Sequence, residues 1–156
     1  MSRPGLRSVL VVPVGLVVFI LDRLTKLMVQ HSLSPGDHVV VLGDILWIDY
    51  ARNTGIAFSI ARSHGSAVFV FDLVAIAFIV YLARRLPAGE PWMSLGLGLV
   101  LGGAVGNALD RVLAGSVTDF IDFRVFPVFN VADMGITVGA VLLAWRLYAG
   151  SRRETP

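Results

Sequence analysis

A chain of 156 residues that is 56% hydrophobic and 15% charged is too apolar for an ordinary soluble domain, in which about a quarter of the residues carry charge. The mean hydropathy is +0.78, and the net charge of +2 comes from scattered arginines with no basic block, which argues against a nucleic-acid partner. There is no cysteine, so disulfides and thiolate metal sites are excluded.

A membrane-crossing helix needs roughly 20 mostly apolar residues to pass about 30 Å of hydrocarbon, and four runs are read that way. The expected class is an all-α membrane protein: one domain over 1–156, with four transmembrane helices and a small extracytoplasmic β-sheet between the first two. The first run is about 8–29. Arg3 and Arg7 precede it, as in a signal peptide, but no small-x-small cleavage site follows and "DRLTK" interrupts its second half, so a retained span is expected. The outer segment after it, about 31–65, mixes β-branched and aromatic residues with partial alternation, which predicts short strands. Trp47 and Tyr50 would suit the headgroup level there. The second run is about 66–83, closed by Arg84, Arg85 and Pro87. The third, about 92–109, carries glycines that suit close helix contact. A second outer segment, about 112–130, leads to the fourth run at about 131–149.

An even number of spans places both termini on one side. Arg3, Arg7, Arg84, Arg85, Arg146, Arg152 and Arg153 would mark that side as the cytoplasm, a bias that Arg52, Arg62 and Arg124 on the other side weaken without reversing. Every aspartate then falls in the outer half of a span or in an outer loop, whereas Glu90 and Glu154 fall on the cytoplasmic side. The acidic chemistry is therefore expected near the outer surface.

Four polar clusters lie at that depth: "DRLTK" at 22–26, "NTGIAFS" at 53–59, "GGAVGNALDR" at 102–111 and "FNVAD" at 129–133. Ionisable groups in spans point to function unless they are paired for packing. Asp22 and Lys26 are i,i+4 and can pair. Asn107 and Arg111 are also i,i+4, with Asp110 at i+3, so all three can look into one cavity; a pairing of Arg111 with Asp110 would hold the bundle wall. For Asp22, Lys26, Asp110 and Arg111 the alternative is purely structural: interhelical pairs that fix packing. Asn130, i,i+3 from Asp133, can cap the fourth span or orient that carboxylate. Asp119, after the third span, and Asp133, heading the fourth, should reach similar depth across a short connection. His31, His38 and His64 supply a metal set poorly, and nothing in the spacing favours a Ser59–Lys26 nucleophile pair. A carboxylate pair remains. Two close carboxyls share a proton, so one can act as general base on water while the other polarises a carbonyl. Asp122 reads better as a loop-ordering partner for Arg124 than as a third catalyst. A transporter or channel subunit with aspartates along an ion path, and a scaffold protein, are the rival classes; clustering of the acids at one depth speaks against the first.

These motifs carry a family resemblance. The chain resembles lipoprotein signal peptidase (signal peptidase II), on "DRLTK", "NTGIAFS", "GGAVGNALDR", "VTDFIDF" and "FNVAD" in family order. The resemblance implies a membrane aspartic endopeptidase of the bacterial cytoplasmic (inner) membrane. It would cleave prolipoproteins N-terminal to a diacylglyceryl-modified cysteine, without metal or cofactor. By position Asp119 and Asp133 are the catalytic pair. Asp22, Lys26, Asn53, Gly55, Asn107, Asp110, Arg111 and Asn130 bind substrate or support the site, and the outer sheet with Asn53, Gly55 and Phe58 is a candidate clamp. The implied partners are lipidated precursors and membrane lipid, and a monomer is expected. Two departures stand out: Met134 and Gly135 follow "FNVAD" where the family usually has small polar residues, and only "RVFPV" separates "DFIDF" from "FN".

Overall fold

The computed structural model describes residues 10–55, 65–86 and 89–152. Among the described residues, four helices, α1 (Val11–Ser32), α2 (Gly65–Arg85), α3 (Pro91–Ala114) and α4 (Val131–Ser151), and three strands, β1 (His38–Leu42), β2 (Leu46–Asn53) and β3 (Val117–Asp122), make up the fold. The helices run a few residues past the predicted ends. The largest difference is α3, which continues through Val112 and Leu113 to Ala114, because "DR" at 110–111 is a buried step in the helix and not its stop. Among the described residues, α3 and α4 are long and apolar enough to cross a membrane by length and composition. In α1, Asp22, Arg23 and Lys26 interrupt the apolar run.

α3 is the central element and packs against the other three helices. It begins with Pro91 at its first turn and ends at Gly115, whose φ of 68° is left-handed and whose N–H returns to Arg111 O; glycine tolerates that conformation without strain. The packing is inside out. α1 buries Val11, Gly15, Val18, Asp22, Lys26 and Val29, spaced by four and three as one helical stripe requires. Its large apolar residues Val12, Leu16, Val17, Ile20, Leu24 and Met28 stay exposed. α4 buries only Ala132, Gly135 and Gly139 among its described residues, and exposes Val138, Val141, Trp145 and Tyr148. Small residues inward and large apolar ones outward is how helices pack in lipid, where close backbone approach replaces hydrophobic exclusion. Gly98 shows the approach: a Cβ there would lie 2.8 Å from Val11 O on α1.

The sheet has order β1-β2-β3, both pairs antiparallel. The sequence places a sheet in 31–65 alone; its third strand comes from the 112–130 segment, read above as a connection. β3 is buried on both faces along nearly its whole length, so it lacks the alternation that marks a half-exposed strand. It pairs Ala51 with Asp119 and Asn53 with Val117, and Gln30 on α1 donates to Thr118 at 2.8 Å. The sheet is thereby fixed to one end of the bundle. At the opposite end Val11, Ile79, Ala83, Leu86 and Leu97 form an apolar cluster.

Candidate active site

Asp119 enters the site from the middle of β3 and Asp133 from the first turn of α4, and Asn130 links them. Asn130 is the N-cap of α4: its Oδ1 accepts the Asp133 N–H at 2.9 Å, and its own N–H points to Asp133 Oδ2 at 3.3 Å. This is a capping box with aspartate in the glutamate position. The Asn130 amide also donates to Asp119 Oδ1 at 2.7 Å. The expected cap is present, but the carboxylate that the Asn130 side-chain amide orients is Asp119; Asp133 is met by the Asn130 backbone N–H instead.

Each carboxylate has a second amide donor. Asn53, the last residue of β2, donates to Asp119 Oδ2 at 2.9 Å. Its own oxygen accepts the Gly55 N–H at 2.8 Å, and Gly55 turns the chain with φ 76°. A side chain at Gly55 would be strained and would meet Val68 on α2 at about 3.0 Å. On the other side, Asn107 of α3 donates to Asp133 Oδ1 at 2.8 Å. Asp119 is 3% exposed. Burial pushes its carboxyl above the ordinary 3.8, and the nearby Asp133 charge adds to this, against the Asn53 hydrogen bond.

Behind the pair lies an ion network. Lys26 contacts Asp22 at 2.7 Å and Asp110 at 2.9 Å. Asp110 is also bonded by Arg23 and accepts the Thr118 N–H at 3.2 Å. Asp22 accepts the Ala132 N–H of α4 at 2.9 Å. Gly106 leaves room for this carboxylate, since a Cβ there would sit 2.7 Å from Asp22 Oδ2. The expected Asp22–Lys26 pairing is present. The expected pairing of Arg111 with Asp110 is not: Arg111 bonds Asp72 of α2 at 2.6 Å. Consecutive residues on a helix point about 100° apart, so Asp110 faces α1 while Arg111 faces α2. The single cavity expected for Asn107, Asp110 and Arg111 is therefore divided, with only the first two sharing Lys26.

Asp122 holds the Arg124 side chain at 2.9 Å and its N–H at 2.6 Å, as expected of a loop partner. The Arg124 N–H is the main cause that lowers the Asp122 carboxyl. Arg124 adopts φ 64° and lies 3.9 Å over the Trp47 ring. Phe58 of the expected clamp and Ser59 of the Ser59–Lys26 pair lie outside the described residues, as do Arg62 and His64. Sequence reasoning missed Asp72 and Arg23 as partners; a lone aspartate in the apolar α2 was the available signal for the former. A hollow of about 280 Å³, lined by Phe126, Phe129, Asp133, Met134, Thr137 and Val138, opens beside Asp133. A larger one, about 370 Å³, surrounds Glu90 and Arg146 at the far end, away from the carboxylate pair. Among the described residues no group of three His, Asp or Glu side chains is arranged to hold a metal ion.

Such a bundle, with a buried and a half-buried aspartate beside a small sheet, has the fold of a bacterial membrane enzyme solved by the in meso method: TM-score 0.83, 30% identity, covering 92% of this chain and 90% of that one. A second solved structure described in the same words gives 0.81 and 32%, covering 86% and 90%. The chain belongs to the signal peptidase (SPase) II family, whose pattern matches residues 14–149. Lipoprotein signal peptidase of Moorella thermoacetica is 39% identical over 91% of this chain and 96% of its own length. That of Pseudomonas aeruginosa is 43% identical over 89% and 88%.

Proposed function

We propose that the protein is a membrane aspartic endopeptidase that removes the signal peptide from prolipoproteins, with Asp119 and Asp133 as the catalytic pair. Family membership supports the peptidase reading and the prolipoprotein substrate. The observation that carries the aspartic assignment is the bridging of the two carboxylates by Asn130, with Asn53 and Asn107 each donating to one of them. Four spans with both termini in the cytoplasm of a bacterial inner membrane are supported by the outward-facing apolar residues of the helices and the arginines at one end. That orientation puts the aspartates near the outer leaflet.

The chemistry follows from one proton shared by the pair. The ionised carboxylate takes a proton from water as the water oxygen bonds to the scissile carbonyl carbon. The protonated partner gives its proton to the carbonyl oxygen. The tetrahedral intermediate collapses: one of its hydroxyls returns a proton to the second aspartate, the C–N bond breaks, and the amine of the modified cysteine leaves with the proton held by the first aspartate. Burial raises the Asp119 carboxyl, which favours Asp119 as the holder of the shared proton.

The test is cleavage of a synthetic precursor with a diacylglyceryl cysteine by purified enzyme in detergent. Asp119→Asn and Asp133→Asn should each abolish product while leaving the folded protein intact. Cleavage that persists in both variants overturns the assignment.

A further inference from the structure

Lys26 is wholly buried and sits one residue removed from the reacting carboxylates. Its ammonium has three N–H donors and no acceptor: it donates to Asn107 Oδ1 at 2.9 Å and lies in ion-pair contact with Asp22 Oδ2 at 2.7 Å and Asp110 Oδ2 at 2.9 Å. A donor-only partner decides which way a carboxamide faces. With Lys26 on its oxygen, Asn107 must turn its NH₂ to Asp133 Oδ1, at 2.8 Å. The same oxygen accepts the Asn130 amide at 3.2 Å, and that amide also donates to Asp119 Oδ1 at 2.7 Å. The Asn130 oxygen is already committed to the Asp133 N–H. Every bond in this chain therefore has one possible direction. A flipped Asn107 would set NH₂ against the ammonium and against the Asn130 NH₂, and oxygen against the Asp133 carboxylate.

We propose that Lys26 is a positioning residue for catalysis: through the Asn107 amide it holds the side-chain donors of Asn107 and Asn130 toward Asp133 and Asp119, and so keeps the pair in its proton-accepting state. The inference rests on the reading of Asp119 and Asp133 as the reacting pair. The charged and titratable groups around that pair are Lys26, Asp22 and Arg23 from α1, Asp110 from α3 and, on the next face of α3, Arg111 with Asp72 of α2. Asn53 from β2 completes the shell. The two cations and two carboxylates of the α1–α3 cluster balance, so the influence of Lys26 on the pair is directional, carried by oriented amides, more than a net charge. The Lys26 charge also acts to lower the Asp119 carboxyl.

The test uses full-length enzyme and the lipidated precursor, with kcat and KM followed against pH. Lys26→Met is made together with Asp22→Asn, so that one positive and one negative charge leave together and the new carboxamide at position 22 keeps an oxygen for the Ala132 N–H. The acidic limb of kcat/KM should move up by about one pH unit, a part of what several hydrogen bonds to the charged form do to a carboxylate. KM should stay unchanged, and Lys26→Arg should return the limb toward its original position. In an Asn107→Ala background the same double substitution should displace the limb far less. Titration of the Asp119 carboxyl by carbon NMR, assigned by its loss in Asp119→Asn, reports the same displacement without turnover. An unmoved limb and an unmoved titration in the Lys26 variant overturn the inference, as does equal displacement with and without Asn107. Failure of the dyad itself looks different: Asp119→Asn or Asp133→Asn would then still cleave.

Discussion

At the end of the bundle away from the sheet, Val11, Ile79, Ala83, Leu86 and Leu97 close on one another, whereas at the sheet end the fully buried side chains include Lys26, Asn130 and Asp22. The first region depends on shape alone. Each apolar contact is small, and a lost methyl leaves a void without an orphaned partner. The second depends on complete pairing. Removal of one member strands another in a dry environment, where an uncompensated charge is expensive. The contrast separates the region that supports the fold from the region that supports the chemistry, and substitutions should sort accordingly.

The largest effect belongs to the sheet end. Asp119→Asn should lower kcat/KM by about 10³-fold or more, the scale of lost acid–base catalysis. Its thermal unfolding in detergent should stay near that of the parent, because the amide keeps the shape and an oxygen for Asn53 or Asn130. Next comes Asp22→Ala, which leaves the Ala132 N–H without its acceptor and Lys26 with one carboxylate fewer. Destabilisation of about 3–5 kcal/mol is expected for a broken buried pair, read as a fall in the unfolding midpoint. Gly106→Ala drives a methyl against the Asp22 carboxylate, an overpacking that should cost about 1–3 kcal/mol. At the apolar end, Ile79→Val should cost only about 1 kcal/mol and leave kcat and KM unchanged. Loss of activity in Ile79→Val, with folding intact, would break the separation of the two ends.

The smallest effect is the most specific. Asp119 and Asp122 lie on one strand and are pushed in opposite directions, the first up by burial and the second down by the Arg124 N–H. In the native state Asp119 keeps a proton that the unfolded chain gives up. Its contribution to stability is full below 3.8 and fades as pH rises through the folded-state value. For Asp122 the contribution is present above 3.8 and fades as pH falls through its lowered value. Unfolding midpoints from about pH 3 to about pH 7 span both ordinary carboxylate values. Asp119→Asn should gain on the parent as pH rises, and Asp122→Asn should fall behind it.

The short-range parts of this site were readable from spacing. Asp22 with Lys26, Asn130 with Asp133, and Asp122 with Arg124 are two to four residues apart and pair as expected. The long-range partners were not. Asp72 is 39 residues from Arg111, and only the rotation of α3 decides that Arg111 turns to it while Asp110 turns to α1. β3 escaped because a strand buried on both faces shows no alternation. Asn53 was singled out by resemblance, but its register opposite Val117, which brings it beside Asp119, depends on that unseen strand.

Gly115 and Ser116 are the only residues between α3 and β3. With so short a joint, the strand bearing Asp119 follows directly on a helix of 24 residues, about 36 Å long. On the proposed topology this makes α3 a depth gauge: the height of the reacting pair above the inner surface is set by helix length and not by a hinge. A thinner bilayer would then lift the pair toward water and a thicker one would sink it into hydrocarbon. Turnover should pass through a maximum as the acyl-chain length of the surrounding lipid is varied.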